Sequence, residues 1–276
     1  MRLASIQAAL RASRVTDCPG QEARWIMEHA RSTGKDTADL LRDRLTGKPL
    51  QLVLGTQPFV GIDVHCRPGQ LIPRPETEQW CAWLAGRVTG SETVLEIGCG
   101  TGCISLALAS AVPGLSVVAI DASPDAVQQS GDNAAKVGCK SVRFAEMVVG
   151  DDDGWVGRVL DLNGGSMFDM VVSNPPYIPV HHWRRLDEGV RRWESPRALC
   201  AGHLGLDVCR SIIRATPYLV RPRAASSSSA PSLVIEYGET FQTLRLQQWM
   251  RSAGLDLVEA HRDYNGRLRW ITGVRT

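Results

Sequence analysis

The chain is expected to fold as an α/β protein: a seven-stranded, mostly parallel sheet closed by a C-terminal antiparallel hairpin, with a small helical domain in front of it. Three observations predict this. From about residue 77 onward, short apolar runs alternate with helical patterns, as a parallel sheet with crossover helices requires. Near the end, the runs Asp256 to Asp263 and Arg267 to Gly273 flank Asn265-Gly266, and Asn-Gly is a strong hairpin signal. Residues 1 to about 46, by contrast, carry helix-spaced apolar positions and no strand pattern.

Taken in order, residues 1–46 form the helical domain, with Leu3, Ile6, Ala9 and Leu10, then Trp25, Ile26, His29 and Ala30, then Leu40, Leu41 and Leu45 at helical spacing. Arg2, Arg11 and Arg14, with no acid before Asp17, also match a short organelle-targeting presequence. The compartment is therefore read as a bacterial cytoplasm or a mitochondrial matrix. Residues 47–76 are a connector in which Leu50 to Leu54 and Phe59 to Val64 read as two short strands of a β-hairpin. The main domain, residues 77–276, begins with a strand at Thr93 to Ile97, a helix at Cys103 to Ala111 and a strand from Ser116 to Ile120 that ends at Asp121. Ser123-Pro124 supplies an N-cap and a proline at the first helical position, and Gly138 stops that helix. Further strands are expected at 142–144, 168–173 and 233–237, and helices near 205–216 and 240–252. Ala224 to Ser232 reads as a Ser-rich flexible insert.

At 276 residues and 43% hydrophobic content the chain can fill a large core. Its net charge of +2 argues against a nucleic-acid groove or a polybasic membrane surface, although 27 of the 31 basic residues are Arg. The eight cysteines include no CxxC pair and no zinc-like spacing, so they are read as reduced thiols in an intracellular protein without a metal. No apolar stretch approaches a membrane span, and a monomer is expected.

Glu96-Ile97-Gly98-Cys99-Gly100-Thr101-Gly102 lies where the first strand of the sheet turns into its helix. Glycines there let a ligand approach the backbone at the C-terminal edge of the sheet. Cys103 breaks the strict dinucleotide fingerprint. Asp121, 23 residues after Gly98, ends the next strand where a carboxylate would receive the two hydroxyls of a ribose. A plain helix-terminal charge is the alternative. The combination points to a ligand with adenosine and no pyrophosphate.

Asn174-Pro175-Pro176-Tyr177 follows the apolar run Met170 to Ser173. An amide carbonyl, two prolines that stiffen the next carbonyls and an aromatic wall make a socket for a planar amino group, although Asn-Pro also opens ordinary turns. His181 and His182 have no spaced partner and are read as loop polar residues. Glu76 and Glu78 either orient the motif loop or cap the helix that follows.

Val94 to Gly102 resembles the first motif of class I S-adenosylmethionine-dependent methyltransferases, and Asn174 to Tyr177 resembles their amino-methylating subset. Leu71-Ile72-Pro73-Arg74-Pro75-Glu76-Thr77-Glu78 is similar to a segment of the release-factor glutamine methyltransferases (HemK/PrmC family). The similarity continues through Ser173 to Pro179, Glu194 to Leu199, Gly205 to Asp207 and Ile235 to Gly238. It implies a Rossmann-like methyltransferase sheet, with Glu96, Gly98, Cys99, Gly100, Thr101 and Gly102 around the methionine part of S-adenosyl-L-methionine and Asp121 on its ribose. Asp151, beside Asp152 and Asp153, matches an acidic position next to the adenine. Asn174, Pro175 and Tyr177 would be catalytic, and with Pro176 they would bind the substrate amide, Asn174 also touching the cofactor. Two departures stand out: Arg221-Pro222-Arg223 replaces a Pro-Gly-Gly turn, and the helical domain is short.

The resemblance implies methylation of the side-chain amide N5 of the glutamine in the Gly-Gly-Gln motif of a peptide-chain release factor, the protein partner expected. Alternatives are a DNA adenine-N6 methyltransferase, a ribosomal-protein glutamine methyltransferase, or a non-catalytic relic that binds a translation factor. The charge and the Pro73 to Glu78 segment weigh against the DNA reading, and no nucleic-acid partner is expected.

Overall fold

A computed structural model describes residues 1–152, 154–223 and 230–276. Asp153 and most of the Ser-rich insert expected at 224–232 therefore lie outside the described residues. No helix among the described residues is long and apolar enough to cross a membrane.

The N-terminal helices are α1 (Leu3–Ser13), α2 (Pro19–Thr33), α3 (Thr37–Leu45) and α4 (Leu50–Leu54). Ile6 and Leu10 of α1 are fully buried, so their helical spacing is used for packing. They share a core with Ala23, Ile26, Leu40 and Leu41. A buried ion pair clasps this unit: Arg44 Nε donates to Glu22 Oε2 at 2.7 Å, and the same guanidinium donates to the Val15 and Lys48 carbonyls. With all three guanidinium nitrogens engaged, the pair is held away from water.

Leu50 to Leu54 is thus a helix and not the strand expected. An unbroken apolar run has no period to separate the two states. Here Pro49 leads into a helical turn that sends Leu50 and Val53 into the helical core and Leu52 towards Cys66 and Ile72. The hairpin forms one segment later, from β1 (Thr56–Phe59) and β2 (Ile62–His65), with Val60-Gly61 as its turn. Val60 and Gly61 have φ of 41° and 80°, the left-handed pair that a two-residue hairpin turn demands. A β-branched residue resists that conformation. The Val60 N–H is held by Glu78 Oε1 at 2.8 Å.

The remaining elements are α5 (Pro75–Ala85), β3 (Thr93–Ile97), α6 (Cys103–Ala111), β4 (Ser116–Asp121), α7 (Pro124–Val137), β5 (Val142–Glu146), α8 (Gly154–Leu162) and β6 (Met170–Ser173). After a 3-10 turn at Val180–Arg185 come α9 (Glu188–Trp193), α10 (Pro196–Leu199), α11 (Asp207–Leu219), β7 (Leu233–Glu236), α12 (Thr240–Ser252), β8 (Asp256–Arg262) and β9 (Leu268–Val274). The seven-stranded sheet runs β5-β4-β3-β6-β7-β9-β8, parallel through β7 and antiparallel at β9 and β8.

Because side chains alternate across a strand, the central strands feed two cores. Leu95, Ile97, Val171 and Ile235 pack against α8, α11 and α12, while Val94, Met170, Val172 and Val234 pack against α5, α6 and the hairpin. Strands apolar on both faces are what a covered parallel sheet needs. Strand order reverses between β3 and β6, and such a switch point opens a crevice at the strands' C-terminal ends. The glycine turn and Asn174 both sit at this crevice.

Candidate active site

The turn after β3 is tied down from below and open above. Gly98 and Cys99 donate to the Ile120 carbonyl, while Ser130 Oγ and Asn133 Nδ2 of α7 hold the Gly100 and Thr101 carbonyls, both at 2.9 Å. Gly100 has φ of 53° and nothing within 4 Å of where a Cβ would stand, so a ligand can meet bare backbone there. Cys99 and Thr101 turn their side chains inward and are buried. Any ligand contact they make is through the main chain.

Asp121 ends β4 beside this opening. Its Oδ2 accepts from Gly100 N and its Oδ1 from Ser123 N, each at 2.9 Å, so both oxygens are aimed and still have lone pairs to offer. Burial raises its pKa, and the backbone N–H donors pull against that rise.

Glu96 is fully buried one strand away. Ser105 donates to Oε2 from both its backbone N–H and its hydroxyl, while Oε1 has no partner among the described residues. An orphaned carboxylate oxygen under a glycine turn suits a ligand that brings a positive charge or an N–H. Burial pushes the Glu96 carboxyl up to about 8, with Ser105 opposing and Asp121 adding a smaller upward push. An unfolded glutamate titrates near 4.3, so the folded protein holds a proton that the unfolded chain has lost between these values. The associated stability is complete below the unfolded pKa and is lost as pH rises through about 8. Glu96→Gln should therefore shrink the fall in Tm of ligand-free protein between pH 5 and pH 9 by roughly 5–10 °C. Glu194 and Glu236, also raised by burial, remain in both proteins, and identical Tm–pH slopes would contradict the assignment.

Asp151 is exposed and drawn towards α11. Its carboxylate pairs with Arg210 at 2.9 Å and with Arg214 at 3.6 Å, and Ser211 Oγ lies 3.3 Å away. Its side-chain partners among the described residues are all on α11, and none is at the glycine turn or Asp121.

Asn174 stands directly after β6. Pairing of Ile97 with Ser173, reinforced by Ser173 Oγ donating to the Ile97 carbonyl at 2.7 Å, brings it beside Gly98 although 76 residues separate the two. Asn174 Nδ2 donates to Thr77 Oγ1 at 3.0 Å, which leaves Oδ1 as the free end of the amide. Thr77 Oγ1 and Trp80 Nε1 both reach Glu236 Oε2 at 2.7 Å, and Tyr177 Oη lies 3.3 Å from Glu236 Oε1. Burial raises the Glu236 carboxyl while these donors lower it; burial also raises the Tyr177 phenol, with Glu236 as the next cause, keeping it neutral.

Asn174, Pro175 and Tyr177 line a cleft of about 170 Å³ with Leu71, Arg74 and Leu199 among its other walls. Arg74 Nη2 grips both oxygens of buried Glu194, at 2.6 and 2.7 Å. The motif loop is also clamped from behind. Gln242 Nε2 donates to the Tyr177 carbonyl at 2.9 Å, and the Tyr177 ring lies against Gly238, where a Cβ would come within 2.7 Å.

Nothing in the sequence alone marks Thr77, Arg74, Glu194 or Gln242 individually as part of this site. One signal was available: Glu236 is the lone charge closing the buried run Leu233 to Ile235. Of the two acids before it, Glu78 holds the hairpin turn and Glu76 lies in the first turn of α5. His181 packs against His182 and His203, with ring centroids 4.4 and 5.1 Å apart, and none of the three lines the cleft. Among the described residues no group of three or more such side chains is arranged to hold a metal ion.

The chain is similar in sequence and in fold to known methyltransferases. The family model described as "Methyltransferase small domain" matches residues 84–185. The release factor glutamine methyltransferase of Salmonella typhimurium is 30% identical over 97% of this chain and 96% of its own length. That of Geobacter sulfurreducens is 37% identical over 66% of this chain, and the aligned region spans only 61% of that protein. Among solved structures, a methyltransferase from Pyrococcus furiosus has the same fold, with a TM-score of 0.51 at 16% identity, covering 78% of this chain and 90% of that one. An open glycine turn, a strand-ending acid and an Asn-Pro-Pro-Tyr loop meet at one switch point, and 30% identity along nearly the full length of the Salmonella protein establishes that the chain belongs to the release factor glutamine methyltransferase family.

Proposed function

We propose that the chain transfers a methyl group from S-adenosyl-L-methionine to the side-chain nitrogen N5 of the glutamine in the Gly-Gly-Gln motif of a peptide-chain release factor. The observation that carries this reading is the orientation of Asn174, a residue of the cleft wall: its Nδ2 donates to Thr77, which leaves the carbonyl oxygen as the amide's unengaged end.

The donor would be held by the backbone of Gly98 to Gly102, with Asp121 on the ribose, Asn174 bordering the methionine part and the loop at Asp151 on the adenine side. The orphaned Glu96 oxygen and the bare Gly100 backbone fit such a ligand. When bound, it supplies an electrophilic sulfonium methyl.

A glutamine nitrogen is a poor nucleophile because its lone pair is shared with the carbonyl. Asn174 Oδ1 and the Pro175 carbonyl each accept one of its N–H groups and fix the nitrogen facing the methyl. As the N–C bond forms and the C–S bond breaks with its electron pair leaving on sulfur, positive charge grows on nitrogen. The two acceptors favour that charge, so their help is greatest in the transition state. Pro176 stiffens the loop, the Tyr177 ring excludes water, and the surplus N–H proton leaves to solvent after transfer. The helical unit at residues 1–46, extended by α4, is proposed to dock the rest of the protein substrate, with residues 55–74 as connector.

Incubation with methyl-labelled donor and either release factor, ribosomal protein or duplex DNA tests the assignment. Label is expected on the Gly-Gly-Gln glutamine; label in DNA or ribosomal protein alone overturns it.

A further inference from the structure

We infer that Glu236, acting through Thr77, fixes which end of the Asn174 amide faces the substrate. This rests on the proposed glutamine methylation and concerns a positioning role that precedes any contact with substrate.

Trp80 Nε1 can only donate, and it lies 2.7 Å from Glu236 Oε2. An ionised carboxylate can only accept, so the Thr77 hydroxyl, 2.7 Å from the same oxygen, must direct its hydrogen there. Were the acid to take a proton, Oε1, whose one contact is the longer 3.3 Å to Tyr177, is the oxygen with room for it. In both states Thr77 has spent its hydrogen and shows Asn174 only lone pairs.

The Asn174 atom 3.0 Å from Thr77 must then be the NH2 and not the carbonyl oxygen. A half-turn of the amide would set two acceptors against each other at Thr77 and point an NH2 at the substrate's own NH2. Both errors vanish only in the orientation seen. The chain is one-directional: indole and hydroxyl give to Glu236, the amide gives to the hydroxyl, and an acceptor is left at the cleft. Glu236 is buried, 1% exposed, and bonds to Tyr177 on its other oxygen, so one carboxylate sets two walls of the socket.

Thr77→Val keeps the side-chain shape and deletes the hydroxyl. It is expected to lower kcat for release-factor methylation about 30-fold or more, by the scale of effects seen when a positioned polar partner is lost. KM for the donor should stay near wild type, while Tm should fall by several degrees because buried Glu236 and Asn174 each lose a partner. Thr77→Ser should restore kcat to within about threefold, and Glu236→Gln, whose amide oxygen can still accept from Trp80 and Thr77, should fall between them. In the Thr77→Val background Asn174→Ala should cost far less kcat than in wild type, and Thr77→Ser, which restores the hydroxyl, should restore the full cost. If Thr77→Val is too unstable to assay, Thr77→Ala carries the same expectation. Wild-type kcat in the hydroxyl-free variant overturns the inference; absence of release-factor methylation by the wild-type chain overturns instead the function on which it rests.

Discussion

Asn174→Ala is expected to reduce kcat for release-factor methylation by about 10³-fold, the size of effect seen when one preorganised polar group aimed at a developing charge is removed. The truncation removes an acceptor from the cleft and also leaves Thr77 without its donor. Binding of the methyl donor should fall only modestly, because Asp121 and the glycine turn are untouched and are held by β4 and α7. Single-turnover transfer and calorimetric titration of the donor separate these effects. Unchanged turnover would remove Asn174 from its role, and equal losses in turnover and donor affinity would make it a donor-binding residue instead.

Gly205→Ala is expected to destabilise the protein by about 3 kcal/mol or more, through strain at a positive φ combined with a forced backbone shift. Gly205 has φ of 69°, and a Cβ there would stand 1.9 Å from the Tyr177 carbonyl oxygen and 2.9 Å from Gln242 Nε2. Neither neighbour can yield independently, since Gln242 bonds to that same carbonyl and to the Leu204 carbonyl. Tm should drop by about 10 °C, at 2–4 °C per kcal/mol for larger domains. Any folded fraction should have a displaced Tyr177 and a reduced kcat. Gly254→Ala makes the comparison: its φ is 78°, but nothing stands within 4 Å of its Cβ, so it bears strain without the collision. Equal losses for the two variants would show that backbone conformation alone, not the close approach, makes Gly205 necessary.

The elements that sequence made legible are those with local signals. Ser123 caps α7 by accepting from Ala126 N, Pro124 opens it and Gly138 closes it with φ of 70°, all readable from residue types. The C-terminal pair was equally plain because Asn265-Gly266 announces a turn between β8 and β9, although the loop takes in Tyr264 as well and only Gly266, with φ of 75°, is left-handed. Leu50 to Leu54 failed for want of a period, and α9 and α10, at six and four residues, are too short to show one.

The site divides the same way. Gly98 to Gly102, Asp121 and Asn174 are recognisable because each ends a strand, and strand ends are where such sheets bind ligands. That Gly98 and Asn174 are neighbours was not legible, since β3 and β6 pair across 76 positions. Thr77 and Glu236 are 159 residues apart, and nothing local in either segment announces a hydrogen bond between them. The Arg74 to Glu194 pair, 120 residues apart, escaped for the same reason. It accounts for one otherwise unexplained residue of the Pro73 to Glu78 segment, while Pro75 opens α5, Thr77 serves Asn174 and Glu78 holds the hairpin turn.

Every residue proposed to touch the reacting amide lies before position 178, yet Thr77, which holds Asn174, is itself tied to Glu236, and Tyr177 is held by Gly205, Gly238 and Gln242. Glu236 in turn closes β7, a strand secured on its far side by β9. A growing chain therefore carries its whole reactive motif for nearly a hundred residues of synthesis before that motif has a shape. Catalytic competence is the last property such a chain acquires, and it arrives together with the strand that completes the sheet.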